Sequence, residues 1–380
     1  MCKKNNQPIN EEVMLCSVQF LGFAVSVANA LATSTAFLGN EEKVFIRDTF
    51  QIATEHLLRW GDDADINFYK KLAKKTPQDV KNASAALFFT DKPLWMITIY
   101  AELAGILQSQ EQQHRGFITL SETNNLRFRQ HLSALLQFFS ARISIYHSPS
   151  SRLGNVDLAD LDRGYHRLYG AKRYAGYEKE EKPVTCEFSA KDKTKINMVV
   201  NVASDTVQIR QDTGWDISHA RRLVHALDAL ERNRNAIKNI FSLTDKELPQ
   251  SGLSEAFANT LVAIVWNGDK EKPVFSNYWS GANGWYRVNY HRGAGGCDEG
   301  IPPYGLTISF TNGGYITWAK YRPIIGLLGQ KLHSMINNSD VDSTSFIDKY
   351  YSDLSRSASA RDRIPAMLMF QPSLVGVMHK

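Results

Sequence analysis

"EKVFIRDTFQIATEHLLRW", residues 42–60, decides the fold class. Val44, Phe45, Phe50, Ile52, Ala53, Leu57 and Leu58 recur at helical spacing and predict an amphipathic helix with a broad apolar face. Working outward, "DKPLWMITIYAELAGIL" (91–107) carries Asp91 as a cap with Pro93 inside the first turn, an arrangement that starts helices. "NNLRFRQHLSALLQFFSARISIY" (124–146) shows the same periodicity, so helix is expected to dominate residues 41–147. The links between these runs, such as "GDDADIN" and "SETNN", are short and polar. Short links favour antiparallel helix pairs.

Further along, "GWDISHARRLVHALDALERNRNAIKNIF" (214–241) predicts a helix with Asp216 as N-cap and Trp215 as a hydrophobic staple. Leu223, Val224, Leu227 and Leu230 are its inward face. "SEAFANTLVAIVW" (254–266) and "RPIIGLLGQKLHSMI" (322–336), with Pro323 near its first turn, predict two more helices. "VTCEFS", "NMVVNV" and "DTVQIR" are β-branched runs between turn-like residues, and predict a small β-hairpin or three-strand insertion near 184–210. The expected class is mainly α, built of helical hairpins. Residues 41–336 form the expected domain, with an apolar segment at 1–40 and a tail at 337–380 whose "IPAMLMFQPSLVGVM" docks on the body.

A chain of 380 residues can bury a large core, and 43% hydrophobic with 22% charged residues is ordinary for a globular protein. The net charge of +5 is modest, and the cluster Lys70, Lys71, Lys74 and Lys75 sits among acids. No nucleic-acid partner is expected from so weak a bias. Cys2, Cys16, Cys186 and Cys297 form no C-x-x-C pair, so no structural metal site is expected; a Cys186–Cys297 bridge stays open. "GAGG" (293–296) lacks the lysine of a phosphate loop, and no cofactor is expected.

"VMLCSVQFLGFAVSVANALATSTAFLGN", residues 13–40, carries no charge and admits three readings. It is long enough to span a bilayer, the one case in which membrane association is expected. It also suits the apolar core of a signal peptide, with Ala28-Asn29-Ala30 as cleavage site within residues 1–36 and export as the consequence. Glu11 and Glu12 ahead of it speak against that. Gln19, Gly22, Ser26, Asn29 and Thr33 form a small, weakly polar stripe that suits a helix packed between others. Both cytoplasmic and exported locations remain open on these readings.

"YWSGANGWYRVNYHRGAGGCDEG", residues 278–300, holds the chemistry. Its glycines allow sharp turns and close approach of a ligand, and its aromatic residues offer flat, semi-polar surfaces. Asp216, His219 and Arg222 recur every three residues and project on one side of their helix. Brought against the glycine-aromatic stretch, they would surround one cleft. Asp160, Asp162, Arg163, Tyr165 and His166 make another polar cluster, which reads more simply as a surface turn. A Cys297 nucleophile with His219 or His291 as base is disfavoured, since Asp298 and Glu299 would raise the thiol pKa.

The helical hairpins of residues 41–337, the "GWDISHARR" helix start and the "NYWSGANGWYRV" aromatic turn resemble the (α/α) toroid of polysaccharide lyases and some glycoside hydrolases. The resemblance implies a glycan or other polar polymer as partner. For a lyase it implies Arg222, Arg287 or Asn283 to neutralise a uronate carboxylate, His219 or His291 as base, and Tyr286 or Tyr290 as acid. For a hydrolase it implies Asp216 paired with Asp298 or Glu299. Asn277, Tyr278, Trp279, Trp285 and Tyr304, with Asp216 and Asn283, are the expected substrate contacts. A non-catalytic binding or accessory protein using the same loop is the alternative.

Overall fold

A computed structural model describes residues 3–4, 7–8, 13–35, 38–75, 89–113, 116–161, 174–177, 184–188, 196–200, 215–287 and 301–378. The protein is mainly helical. In chain order the principal helices are α1 (Met14–Thr33), α2 (Asn40–Trp60), α3 (Asp63–Ala73), α4 (Asp91–Gln112), α5 (Glu122–Ser140), α6 (Ile217–Arg232) and α7 (Arg234–Phe241). They continue as α8 (Leu253–Thr260), α9 (Ser309–Asn312), α10 (Pro323–Asn337), α11 (Val341–Tyr350) and α12 (Ala360–Met378). The chain forms two compact units. The first holds Met1–Lys74, Phe89–Ala141 and His225–Ser251; the second holds Lys75–Phe88, Arg142–Val224 and Gly252–Lys380.

In the first unit, α2 buries Ile46, Phe50, Ala53, Leu57 and Trp60. At 100° per residue these fall within one narrow stripe. Val44, Phe45 and Ile52, expected on the core face, lie off that stripe and stay 43%, 40% and 46% exposed. Helix α3 starts where Asp62 accepts the Asp65 N–H at 2.9 Å, and α5 where Ser121 accepts the Asn124 N–H at 3.3 Å. Asp91 proves to be the first helical residue of α4 rather than its cap, the cap position being Thr90. There its charge still complements the helix dipole.

The small-residue stripe of α1 packs against α4. Asn29 Nδ2 donates to Glu102 Oε2 at 2.6 Å, and Ser26 Oγ donates to Glu102 Oε1 at 3.2 Å. Asn233 Nδ2 and Arg232 Nη2 donate to the same carboxylate at 3.2 and 2.6 Å. Burying a carboxylate is tolerable only when its lone pairs are met in this way. Gly105 is required here: a Cβ would stand 2.2 Å from Asn233 Oδ1 and 2.6 Å from Asn29. By length and a mean hydropathy of 1.7, α1 would also pass for a membrane span. Of its polar stripe, Ser26 and Asn29 join the Glu102 network, whereas Phe20 and Phe23 on other faces of the helix are exposed.

A second buried group in this unit is His131, fully enclosed between Tyr69, which stacks on it, and Tyr100, whose hydroxyl lies 2.8 Å from Nδ1. Burial, then the nearby Arg127 charge, push its pKa from 6.5 down to about 4, with Asp62 opposing. The unfolded chain therefore takes up the proton first as pH falls. Stability from this site is complete above about pH 6.5 and is lost as pH falls towards about 4, by on the order of 3 kcal/mol in all. His131→Gln keeps a partner for Tyr100 but does not titrate. Urea unfolding from pH 7 to 4.5 should show wild type losing more stability than the variant; parallel curves would refute the assignment.

Two short strands near the start of the chain, β1 (Lys3–Lys4) and β2 (Gln7–Pro8), pair antiparallel. In the second unit, β3 (Ile143–Ser150) and β4 (Gly154–Leu161) form an antiparallel hairpin pairing Ile143 with Leu161 and Ser150 with Gly154. Residues 143–146 were expected to continue α5. The helix ends at Ser140 instead, because Ile143-Ser144-Ile145 alternates in burial, a strand pattern, and Pro149 forbids helix beyond it. β5 (Tyr174–Tyr177) pairs antiparallel with β8 (Gly284–Arg287), and β6 (Val184–Phe188) with β7 (Ile196–Val200). The last pair is the expected insertion; "DTVQIR" lies outside the described residues. Helix α8 runs into a π-helical turn, Leu261–Val265. Arg152 closes that turn, donating to Val262 O at 2.8 Å and to Trp266 O, while its guanidinium lies 5.1 Å from the Trp266 ring centroid. Helix α12 buries Ala366, Phe370 and Leu374.

Candidate functional site

The start of α6 is locally determined. Asp216 Oδ1 accepts the backbone N–H of His219 at 3.0 Å, the expected N-cap, and the hydroxyl of Ser218 at 2.5 Å. Its other oxygen, Oδ2, lies 2.6 Å from His219 Nδ1. The carboxylate is buried, with 6% of the side chain exposed, whereas the imidazole is 38% exposed. A buried acid thus holds an accessible imidazole in one orientation. One turn on, Arg222 donates to Ser218 O at 2.6 Å, and Arg221 donates to Asn312 at 3.0 Å. Burial lowers the Arg221 pKa from its ordinary value, with the Arg222 charge adding to the effect and Tyr315 and Asp216 opposing it.

The aromatic turn lies directly beside this helix start. Asp216 and Tyr278 form an antiparallel bridge. Ile217 N–H donates to Asn277 O at 2.9 Å, and Trp279 N–H to Trp215 O at 2.8 Å. The chain then reverses through Gly281, whose φ of 84° suits glycine, with Tyr278 N–H donating to Ala282 O. Segments some sixty residues apart in sequence are therefore joined by backbone hydrogen bonds.

The expected substrate contacts divide by burial. Tyr278 and Trp279 are enclosed in the core: the Trp279 indole donates to Ala159 O at 3.1 Å and packs among Phe257, Tyr315 and Trp318. Asn277 and Asn283 are buried and fasten the following loop. Asn277 donates to Pro302 O and accepts from Leu306 N–H, and Asn283 Oδ1 accepts the Tyr304 N–H at 2.7 Å. Tyr304 is half-buried and has φ 61°. Trp285, Tyr286 and Arg287 belong to β8, described by its backbone, where Tyr286 pairs with Ala175 and Arg287 with Tyr174. Tyr290, His291, Cys297, Asp298 and Glu299 lie outside the described residues, as do Asp162, Arg163, Tyr165 and His166. Asp160 sits in β4 and accepts the Leu161 N–H.

Sequence reasoning missed the Ser218 hydroxyl on Asp216, and it read Tyr315 only as one of the flat aromatic surfaces, not as the residue whose hydroxyl donates to Ile217 O at 2.7 Å beneath the helix start. The first was within reach, since serine two residues after an N-cap aspartate is placed to bond it. The second was not, because Tyr315 arrives from 98 residues away. No protein-family model, curated protein or solved structure matches the chain.

Proposed function

We propose that the protein is a polysaccharide-cleaving enzyme of the lyase type, acting on a uronate-containing glycan with His219 as general base. The observation that carries the reading is the short hydrogen bond between buried Asp216 and half-exposed His219. An ionised carboxylate can only accept, so the proton of the neutral ring sits on Nδ1 and Nε2 keeps the lone pair a base needs. In the elimination, Nε2 takes the C5 proton, the electron pair forms the C4–C5 double bond, and the glycosidic C4–O bond breaks. The leaving oxygen takes a proton from an acid, the role assigned to Tyr286 or Tyr290. Arg222, one turn from His219, is the cation that neutralises the uronate carboxylate and so acidifies C5.

Hydrolysis would need two carboxylates facing the glycosidic bond. Asp216 is occupied as cap and as orienter of His219, which favours elimination. The chain is mainly helical, as the resemblance to polysaccharide lyases of the (α/α) toroid class implies. Binding of a glycan without cleavage is the second reading, favoured if Tyr304 alone engages the ligand.

The test is to incubate the protein with oligogalacturonate, alginate and glycosaminoglycan and follow the ultraviolet absorbance of the unsaturated product. Wild type should turn over one of them, with His219→Ala slower by roughly 10²–10⁴-fold. Absence of turnover on every acidic polymer, or an unaffected His219→Ala, would overturn the elimination reading.

A further inference from the structure

A hollow of about 350 Å³ in the second unit is lined by Tyr304, Phe346, Tyr350, Lys272, Lys349 and Asp342, among others. Its size is at the lower end for small-molecule sites, roughly 300–1,000 Å³, and suits one ring rather than an extended chain. Tyr304 is its most unusual member. At φ 61° a bulky aromatic residue sits in the left-handed region that glycine occupies without steric cost. The conformation is enforced from both sides: Asn283 holds the Tyr304 N–H, Tyr304 O accepts the Thr307 N–H at 3.0 Å, and Asn277 ties down Pro302 and Leu306. Yet the ring so placed is only half-buried, meeting Tyr350 edge-on with centroids 6.4 Å apart.

The charges around the hollow are balanced and internally engaged. Lys272 pairs with Asp342 at 2.7 Å. The Lys349 ammonium lies 5.1 Å from the centroid of the Tyr350 ring. Asp269, also on the wall, accepts the backbone N–H groups of Glu271 and Lys272. An acidic ring would require breaking one of these arrangements to gain a cation. An uncharged ring with an apolar face and peripheral hydroxyls would not: its C–H face lies on a tyrosine, and its hydroxyls meet donors and acceptors at the rim.

We infer that this hollow is a subsite for one uncharged sugar ring, laid against Tyr304. The inference rests on the glycan reading above and narrows it: the polymer carries neutral units as well as acidic ones.

Tyr304→Gly is the decisive variant, because it removes the ring while relieving the backbone. The full-length protein would be titrated calorimetrically with cello-, xylo- and manno-oligosaccharides, and with oligogalacturonate for comparison. Wild type should bind at least one neutral series. Tyr304→Gly should weaken that binding about tenfold or more, with an unchanged or higher melting temperature. His219→Ala should bind the neutral series as wild type does. Failure of wild type to bind any of the three neutral series, unaltered affinity in Tyr304→Gly, or a lowered melting temperature in that variant would each overturn the subsite. Neutral binding without cleavage of any acidic polymer would sink the elimination reading and leave the subsite standing. Cleavage without neutral binding would do the reverse.

Discussion

Glu102→Ala should destabilise the first unit by about 3–5 kcal/mol, the usual cost of removing one member of a buried charged network. Glu102 is 1% exposed and accepts from Ser26, Asn29, Arg232 and Asn233. Arg232 would suffer least, since it is half-exposed and keeps Asp228 at 2.7 Å. Asn29 and Asn233 are buried, and each would lose one hydrogen bond of its amide NH2 while keeping the other, Asn29 to Asn233 Oδ1 at 3.1 Å and Asn233 to Ala229 O at 3.0 Å. Each N–H left without an acceptor costs roughly 1–3 kcal/mol, before the lost side-chain volume is counted. Gly105→Ala should be comparably harmful, since its methyl would enter the space of Asn233 Oδ1. Amide hydrogen exchange in α1 and α4 with denaturant titration reads this directly. A loss below about 1 kcal/mol for Glu102→Ala would mean the network is dispensable.

Trp279→Ala should cost the second unit about 3–5 kcal/mol, the range for truncating a buried large aromatic. Its indole is enclosed, hydrogen-bonded to Ala159 O, and packed between Phe257 and the Tyr315–Trp318 pair. Trp279→Phe should recover part of the loss, keeping the aromatic packing but leaving Ala159 O without its donor. A residue that stacks on substrate behaves differently: its alanine variant loses ligand and keeps stability. Thermal unfolding beside oligosaccharide titration separates the two. A stable Trp279→Ala protein with impaired binding would return the tryptophan to the ligand site.

Local information was strong where one helix or one cap decided the outcome. The α1 stripe was legible as a helix–helix contact face because small and polar residues recur every third or fourth position, and Asn29 and Ser26 meet Glu102 across it. The Asp216 cap was legible for the same reason: a cap needs only its own three following residues. The face of α2 was misjudged. A helix with apolar residues nearly all round does not say which stripe its neighbours will cover, and the stripe covered left out Val44, Phe45 and Ile52. The strand at Ile143 was hidden because a β-branched run following a helix is ambiguous until a partner strand, here β4, meets it.

The site divides in the same way. From the order of its residues alone the chain specifies a mainly helical protein, a capped helix at Asp216 with His219 one turn in, and a glycine-punctuated aromatic turn at 277–284. Each depends on contacts within a few residues. Only the tertiary structure set that turn beside the helix start, sent Trp279 inward while leaving His219 at the surface, and drew Tyr304, Lys272 and Tyr350 around one hollow. Burial and facing are properties of what packs against a residue. That neighbour comes from far along the chain, where no local pattern records it.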